Sequence, residues 1–159
     1  MPARVLFFLV FWTSVQPLSP FQAGAKPRSA NEADVGRGAV ERVLRTQEGA
    51  WNRHDLEAFM AGYWNSPELT FFSGASEHKG WQATLDRYRA AYASPGHEMG
   101  KLEFSGLRIE MLGSDAAFVR GAWHLTMPDG KTPHGFFTLV FRTFPDGWKI
   151  VHDHTSAAE

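Results

Sequence analysis

Cysteine is absent from all 159 residues, so this chain has neither disulfides nor a thiol nucleophile. Neither sign of charge dominates: 16 Lys+Arg stand against 17 Asp+Glu for a formal net charge of −1, which gives nucleic acid or an anionic membrane no electrostatic hold. Long apolar runs are missing too. The longest, Val5 to Trp12, falls far short of the about 20 residues that a spanning helix needs. No Gly-x-Gly-x-x-Gly, Walker-type loop, Gly-x-Ser-x-Gly elbow or His-Glu-x-x-His occurs, so dinucleotide, nucleotide-phosphate and elbow-serine chemistry lack their usual support and no cofactor is expected. What the chain has in surplus is aromatic side chains: 13 Phe, 6 Trp and 3 Tyr, 14% of residues. With 43% hydrophobic residues overall, that excludes disorder and provides for one domain with one core. The aromatic excess points to a lined cavity or a partner surface.

The first residues read as an address. Arg4 precedes the apolar run Val5–Trp12, and Ala23-Gly24-Ala25 is a small-x-small cleavage signature before Lys26. Residues 1–25 are therefore expected to be a signal peptide, and the protein to be exported, periplasmic or extracellular, without a membrane anchor. Residues 26–38 are polar, with Pro27, Gly36 and Gly38, and read as a linker into a helix that starts between Asn31 and Ala39.

Val40, Val43, Leu44, Gln47, Ala50 and Trp51 follow helical spacing. Asp55 caps a second, short helix with Leu56, Phe59, Met60 and Tyr63 inward. Glu68–Ser73 is a short strand, and Trp81, Leu85, Tyr88 and Tyr92 define a third helix that stops at Ser94-Pro95-Gly96. Four strands follow: Lys101–Leu112, Ala116–Met127, Thr132–Thr143 and Trp148–Ser156, separated by Gly113-Ser114-Asp115, Pro128-Asp129-Gly130 and Pro145-Asp146-Gly147. In the first of them the apolar phase switches after Phe104 to Leu107, Ile109 and Met111, which predicts a β-bulge at Ser105-Gly106. The layout is α+β.

Both faces of the sheet are rich in apolar residues. Phe137, Leu139 and Phe141 alternate with Phe136, Thr138 and Val140, and three modest helices cover only one face. A second copy of the chain is expected to bury the other, giving a homodimer through the sheet.

Ala50-Trp51-Asn52-Arg53-His54-Asp55-Leu56-Glu57-Ala58-Phe59, the Gly80-Trp81 opening of the third helix, and Gly147-Trp148-Lys149-Ile150-Val151-His152-Asp153-His154-Thr155-Ser156 at the end carry a resemblance. Residues 39–157 resemble the nuclear transport factor 2-like superfamily. They are most similar to its SnoaL-like branch, related to the association domain of calcium/calmodulin-dependent protein kinase. The resemblance implies a curved, mostly antiparallel sheet wrapped by three helices into a cone around a cavity, and a dimer through the sheet.

Asp153 is the prime acid/base candidate, since a carboxylate set in an apolar cavity has its pKa raised toward neutrality. The resemblance places Thr155 in the cavity, and by alternation Asp153 and Val151 with it; it places His124 and Arg120 inside as well. The apolar pattern alone chooses the opposite face of the last strand: Trp148, Ile150, His152 and His154. On the first view Arg120 and His124 orient an anionic or carbonyl group beside Asp153, while Trp51, Tyr63, Trp64, Tyr88, Leu139 and Thr155 contact the ligand. The same side chains also fit a structural ion pair and ordinary core packing. His152 and His154, at i and i+2, have a spacing that suits a metal if His134 approaches as a third ligand, but two histidines alone are a weak signal, no metal is expected, and interfacial histidines hydrogen-bonded across a dimer are the preferred explanation. Ketosteroid isomerases of the superfamily use a first-strand acid that Leu69-Thr70-Phe71-Phe72-Ser73 does not offer. The expected function is binding of a small, partly apolar molecule, with cofactor-free acid/base chemistry of isomerase, cyclase or lyase type. The alternative is a non-catalytic dimerisation, association or carrier module.

Overall fold

The computed structural model describes residues 30–94 and 98–158. The expected signal peptide, the first part of the linker and the Pro95-Gly96 helix stop lie outside the described residues.

Helix α1 (Ala30–Trp51) buries Val40, Leu44, Gln47, Ala50 and Trp51 at the predicted spacing. It begins at the early end of the expected range, so residues 30–38, read as linker, are helix. The reason is contact: Gly36 is buried, and Arg37 Nη1 donates to the Ile109 carbonyl at 2.8 Å. Asp55 caps α2 (Leu56–Met60), its Oδ1 accepting from the Ala58 amide at 2.9 Å. Strands β1 (Thr70–Ser73) and β2 (Ser76–Lys79) form a hairpin before α3 (Trp81–Tyr92), and β3 (Lys101–Met111), β4 (Ala116–Thr126), β5 (His134–Phe144) and β6 (Gly147–Thr155) form a meander. The polar β2 escaped sequence analysis because Ser-Glu-His-Lys offers no apolar alternation; it lies at the sheet edge, where backbone pairing to β1 suffices.

The six strands form one curved sheet in the order β2-β1-β6-β5-β4-β3, with β1 parallel to β6 and its other neighbours antiparallel. The opposite edge, β3, is covered by α1. Asn52 exchanges hydrogen bonds with both the amide and the carbonyl of Leu102, at 2.7 and 2.9 Å, and Glu48 Oε2 accepts from the Phe104 amide at 2.8 Å. These side chains occupy backbone groups that a free edge would offer to another strand. The predicted bulge is present: pairing with β4 shifts between Ser105 and Arg108, and Gly106 adopts φ 60°, which costs glycine little.

A second bulge decides the face of β6. Val140 pairs with His152 while Phe141 pairs with Ile150, which leaves Val151 unopposed. The inward series therefore runs through Ile150, skips, and resumes at Asp153 and Thr155; Ile150 is 1% and Asp153 3% exposed. Each sequence argument was right for one half of the strand. Val151, expected in the cavity, is the bulged residue, and His152 and His154 face outward beside Phe72, their ring centroids 5.2 and 6.0 Å from it.

Candidate functional site

The concave face of the sheet and the three helices enclose a cavity of about 340 Å³. Its wall is largely apolar. Trp51 at the end of α1 meets Phe59 of α2 and Tyr88 and Tyr92 of α3 edge-on, with centroids 5.3, 6.0 and 4.8 Å away, while Leu125, Phe137 and Leu139 rise from the sheet. Trp51 Nε1 donates to the Gly100 carbonyl at 2.8 Å, so burial leaves no polar atom of the ring unpaired.

The polar groups gather at one end, where β1 and β6 run side by side. Asp153 Oδ2 accepts from the Tyr63 hydroxyl at 2.7 Å, and Oδ1 accepts from Thr155 Oγ1 at 2.7 Å. The Tyr88 hydroxyl stands 3.4 Å from that of Tyr63; because the Tyr63 proton is committed to Asp153, Tyr88 is the donor in this long contact. Burial disfavours the carboxylate and pushes Asp153 up to about 6, against the lowering effect of the Tyr63 and Thr155 hydrogen bonds and of the Arg87 and His154 charges. Burial, followed by the negative charge of Asp153, raises both tyrosines and keeps them protonated. At neutral pH the site thus holds a carboxyl group that titrates within reach of two hydroxyl donors, an arrangement suited to moving a proton.

Trp51, Tyr63, Tyr88, Leu139, Asp153 and Thr155 all line this cavity. Besides Val151, the expected Arg120, His124 and Trp64 do not. The inward side of β4 is Ala117, Val119, Gly121, Trp123 and Leu125, which leaves Arg120 and His124 exposed on the convex face. Arg120 faces Glu110, 3.9 Å away, and His124 stacks on His134 with centroids 4.9 Å apart. The resemblance had placed both inside, but register sets Asp153 across from Leu139 and Val119, and Arg120 across from Thr138 and outward His154. Trp64 also lies outside, stacked on Phe144 at 5.4 Å. His134 is thus placed with His124 and not with the β6 histidines. His152 Nδ1 lies 2.6 Å from Thr70 Oγ1; burial, then His154, hold its pKa below the ordinary imidazole value. Among the described residues no group of three His, Cys, Asp or Glu side chains is arranged to hold a metal ion.

Sequence reasoning missed other lining residues, two polar ones among them. Arg87 of α3 and Ser73 of β1 face the cavity, joined by a 3.0 Å hydrogen bond from Arg87 Nη2 to Ser73 Oγ. In sequence Arg87 resembles any solvated helical arginine; its one clue is its place next to inward Tyr88. Loss of the Tyr63 hydroxyl has a defined electrostatic consequence. Tyr63→Phe removes a donor that favours the ionised form, so the Asp153 titration is expected to move above about 6 in a carboxyl ¹³C NMR titration. An unmoved midpoint would show that Tyr63 does not tune this group.

A curved sheet wrapped by three helices around such a cavity defines a cone-shaped domain of the nuclear transport factor 2-like class. The chain belongs to the SnoaL-like domain family, whose profile matches residues 40–159. It is similar to a nuclear transport factor 2-like protein of unknown function from Shewanella oneidensis MR-1, with 38% identity over 75% of this chain and 97% of that one and a TM-score of 0.70. The fold is shared with a calcium/calmodulin-dependent protein kinase type II association domain from Thiobacillus denitrificans, at 21% identity, coverage of 75% and 94%, and TM-score 0.63. It is shared as well with a ketosteroid isomerase-like protein from Erwinia carotovora, at 19% identity, coverage of 77% and 96%, and TM-score 0.60. No curated protein matches the chain.

Proposed function

We propose that the protein is a cavity enzyme of isomerase, cyclase or lyase type that acts on a small, partly apolar molecule, with Asp153 as the group that moves the proton. One observation carries this reading: a carboxyl group 3% exposed, inside an apolar cavity, hydrogen-bonded on both oxygens and pushed up to about 6. Above that pH the carboxylate takes a proton from a carbon next to a carbonyl, and the C–H electron pair moves onto the carbonyl oxygen. Tyr88, whose contact with Tyr63 is long at 3.4 Å, donates to that oxygen. Returning the proton to a different carbon completes an isomerisation with no group beyond these side chains. The ketosteroid isomerase-like neighbour supports the class of reaction and not the substrate.

Export and association belong to the same proposal. Phe136 is 72% exposed on the convex face, which register shows also carries Phe72, Phe118 and Val140, and a second copy covers this face. No helix among the described residues is long and apolar enough to cross a membrane. Native mass spectrometry of protein recovered from an exporting host tests these points together. The expected species is a dimer that starts at Lys26 and carries a small organic mass. A retained Met1 contradicts export, a monomer contradicts the sheet dimer, and an empty dimer favours the non-catalytic association module.

A further inference from the structure

Arg87 stands apart from the other described arginines. Those are exposed, and five of them, Arg37, Arg45, Arg89, Arg120 and Arg142, sit beside carboxylates in surface ion pairs. Arg87 is half-buried, and its guanidinium lies 5.2 Å from the Phe71 ring centroid and 5.4 Å from that of Tyr88. Its hydrogen bond goes to the neutral hydroxyl of Ser73, which takes one of the five N–H donors of the fork. The Asp153 oxygens are held by Tyr63 and Thr155 instead. A cation is thus held against two aromatic rings at the wall of an apolar cavity, with most of its donors uncommitted and its charge reaching Asp153 without an ion-pair contact to it.

We propose that Arg87 and Ser73 form a carboxylate subsite, so that the cavity selects an aromatic or alicyclic carboxylic acid. The inference rests on the cavity reading above and adds the substrate class to it. A guanidinium whose fork faces a dry wall recognises planar, bidentate anions better than spherical ones. The rest of the ligand is set by the surroundings: the edge-on cluster of Trp51, Phe59 and Tyr88 receives a ring. A volume of about 340 Å³ lies at the small end of ligand pockets, enough for one ring and a short chain. Register fixes the distance between the subsite and the chemistry. Ser73 pairs with Thr155 and Phe71 with Asp153, so the backbone that carries Ser73 lies roughly one strand spacing, about 4.8 Å, from the backbone that carries Asp153 and Thr155. The carbon that faces Asp153 is therefore only a few bonds from the carboxylate.

The probes are 3-phenylpropanoate and its neutral isostere 3-phenylpropanamide, titrated into the full chain with cavity Trp fluorescence and calorimetry as readouts. The acid is expected to bind at least tenfold more tightly than the amide. Arg87→Gln brings the ratio near one with amide affinity retained, and Arg87→Lys keeps part of the preference because the charge remains. Equal affinities in the unsubstituted protein, an acid preference that survives Arg87→Gln, or failure of both probes to bind would each overturn the subsite. Arg87→Gln also removes a charge that lowers Asp153, so the acid/base reading is judged separately, by the Asp153 titration of the unsubstituted protein.

Discussion

Asp153→Asn is expected to raise the melting temperature at pH 8 by roughly 10 °C while abolishing proton transfer. The sign follows from the direction of the shift. Folding lifts Asp153 from 3.8 to about 6, so the folded state binds the proton more tightly than the unfolded chain does. Its contribution is most favourable below 3.8, declines as pH rises, and above about 6 is a full cost of about 3 kcal/mol, at 1.36 kcal/mol per unit. Asparagine removes that cost and fits the site, because its Oδ1 can accept from Tyr63 while its amide donates to Thr155 Oγ1. The difference in melting temperature between the two proteins should vanish near pH 4 and open between pH 4 and 7. Taking the difference cancels the other carboxyl groups, which titrate alike in both. Turnover of the molecule recovered with the protein should fall by about 10²- to 10⁴-fold, the usual worth of a positioned acid or base. A variant less stable than the parent at pH 8 would instead make Asp153 a structural anion.

The second large effect concerns the cavity wall. Trp51→Ala is expected to cost about 3–5 kcal/mol and lower the melting temperature by roughly 10–20 °C. Trp51 is 3% exposed and touches three aromatic rings from two other helices, so its removal leaves a void between α1, α2 and α3. The loss also strands the Gly100 carbonyl that accepts from its indole N–H. Trp51→Phe keeps most of the ring contacts and should lose only about 1–3 kcal/mol, the penalty of that unpaired carbonyl. Differential scanning calorimetry of the two variants separates the packing and hydrogen-bond contributions. Equal losses for both would place the effect in the hydrogen bond alone.

Sequence reasoning worked where a periodic signal was long. The stripes Val40–Leu44–Gln47–Trp51 and Trp81–Leu85–Tyr88 gave two helices, and the phase switch around Ser105-Gly106 gave the bulge in β3. The turn glycines at positions 113, 130 and 147 adopt positive φ, as hairpin turns demand. The site was harder because its decisive feature is a one-residue insertion. Val151 looks like any strand residue, yet the bulge there puts Ile150 and Asp153 on one face despite their odd spacing. Strict alternation could admit one or the other, and the resemblance misplaced Arg120 and His124, although the run Ala117, Val119, Trp123, Leu125 already marked the inner face of β4. Arg87 was illegible for another reason: a helix position tells which way a side chain points only after the partner surface is known.

The central claim is that Asp153 is a buried carboxyl poised to move a proton near neutral pH. A ¹³C carboxyl NMR titration of aspartate-labelled protein, with the resonance assigned by its loss in Asp153→Asn, tests it most directly. The account predicts a midpoint near 6, well above the ordinary value of 3.8. A midpoint at or below 3.8 would contradict it, since Asp153 would then be an anion stabilised by its neighbours and not a group that exchanges protons.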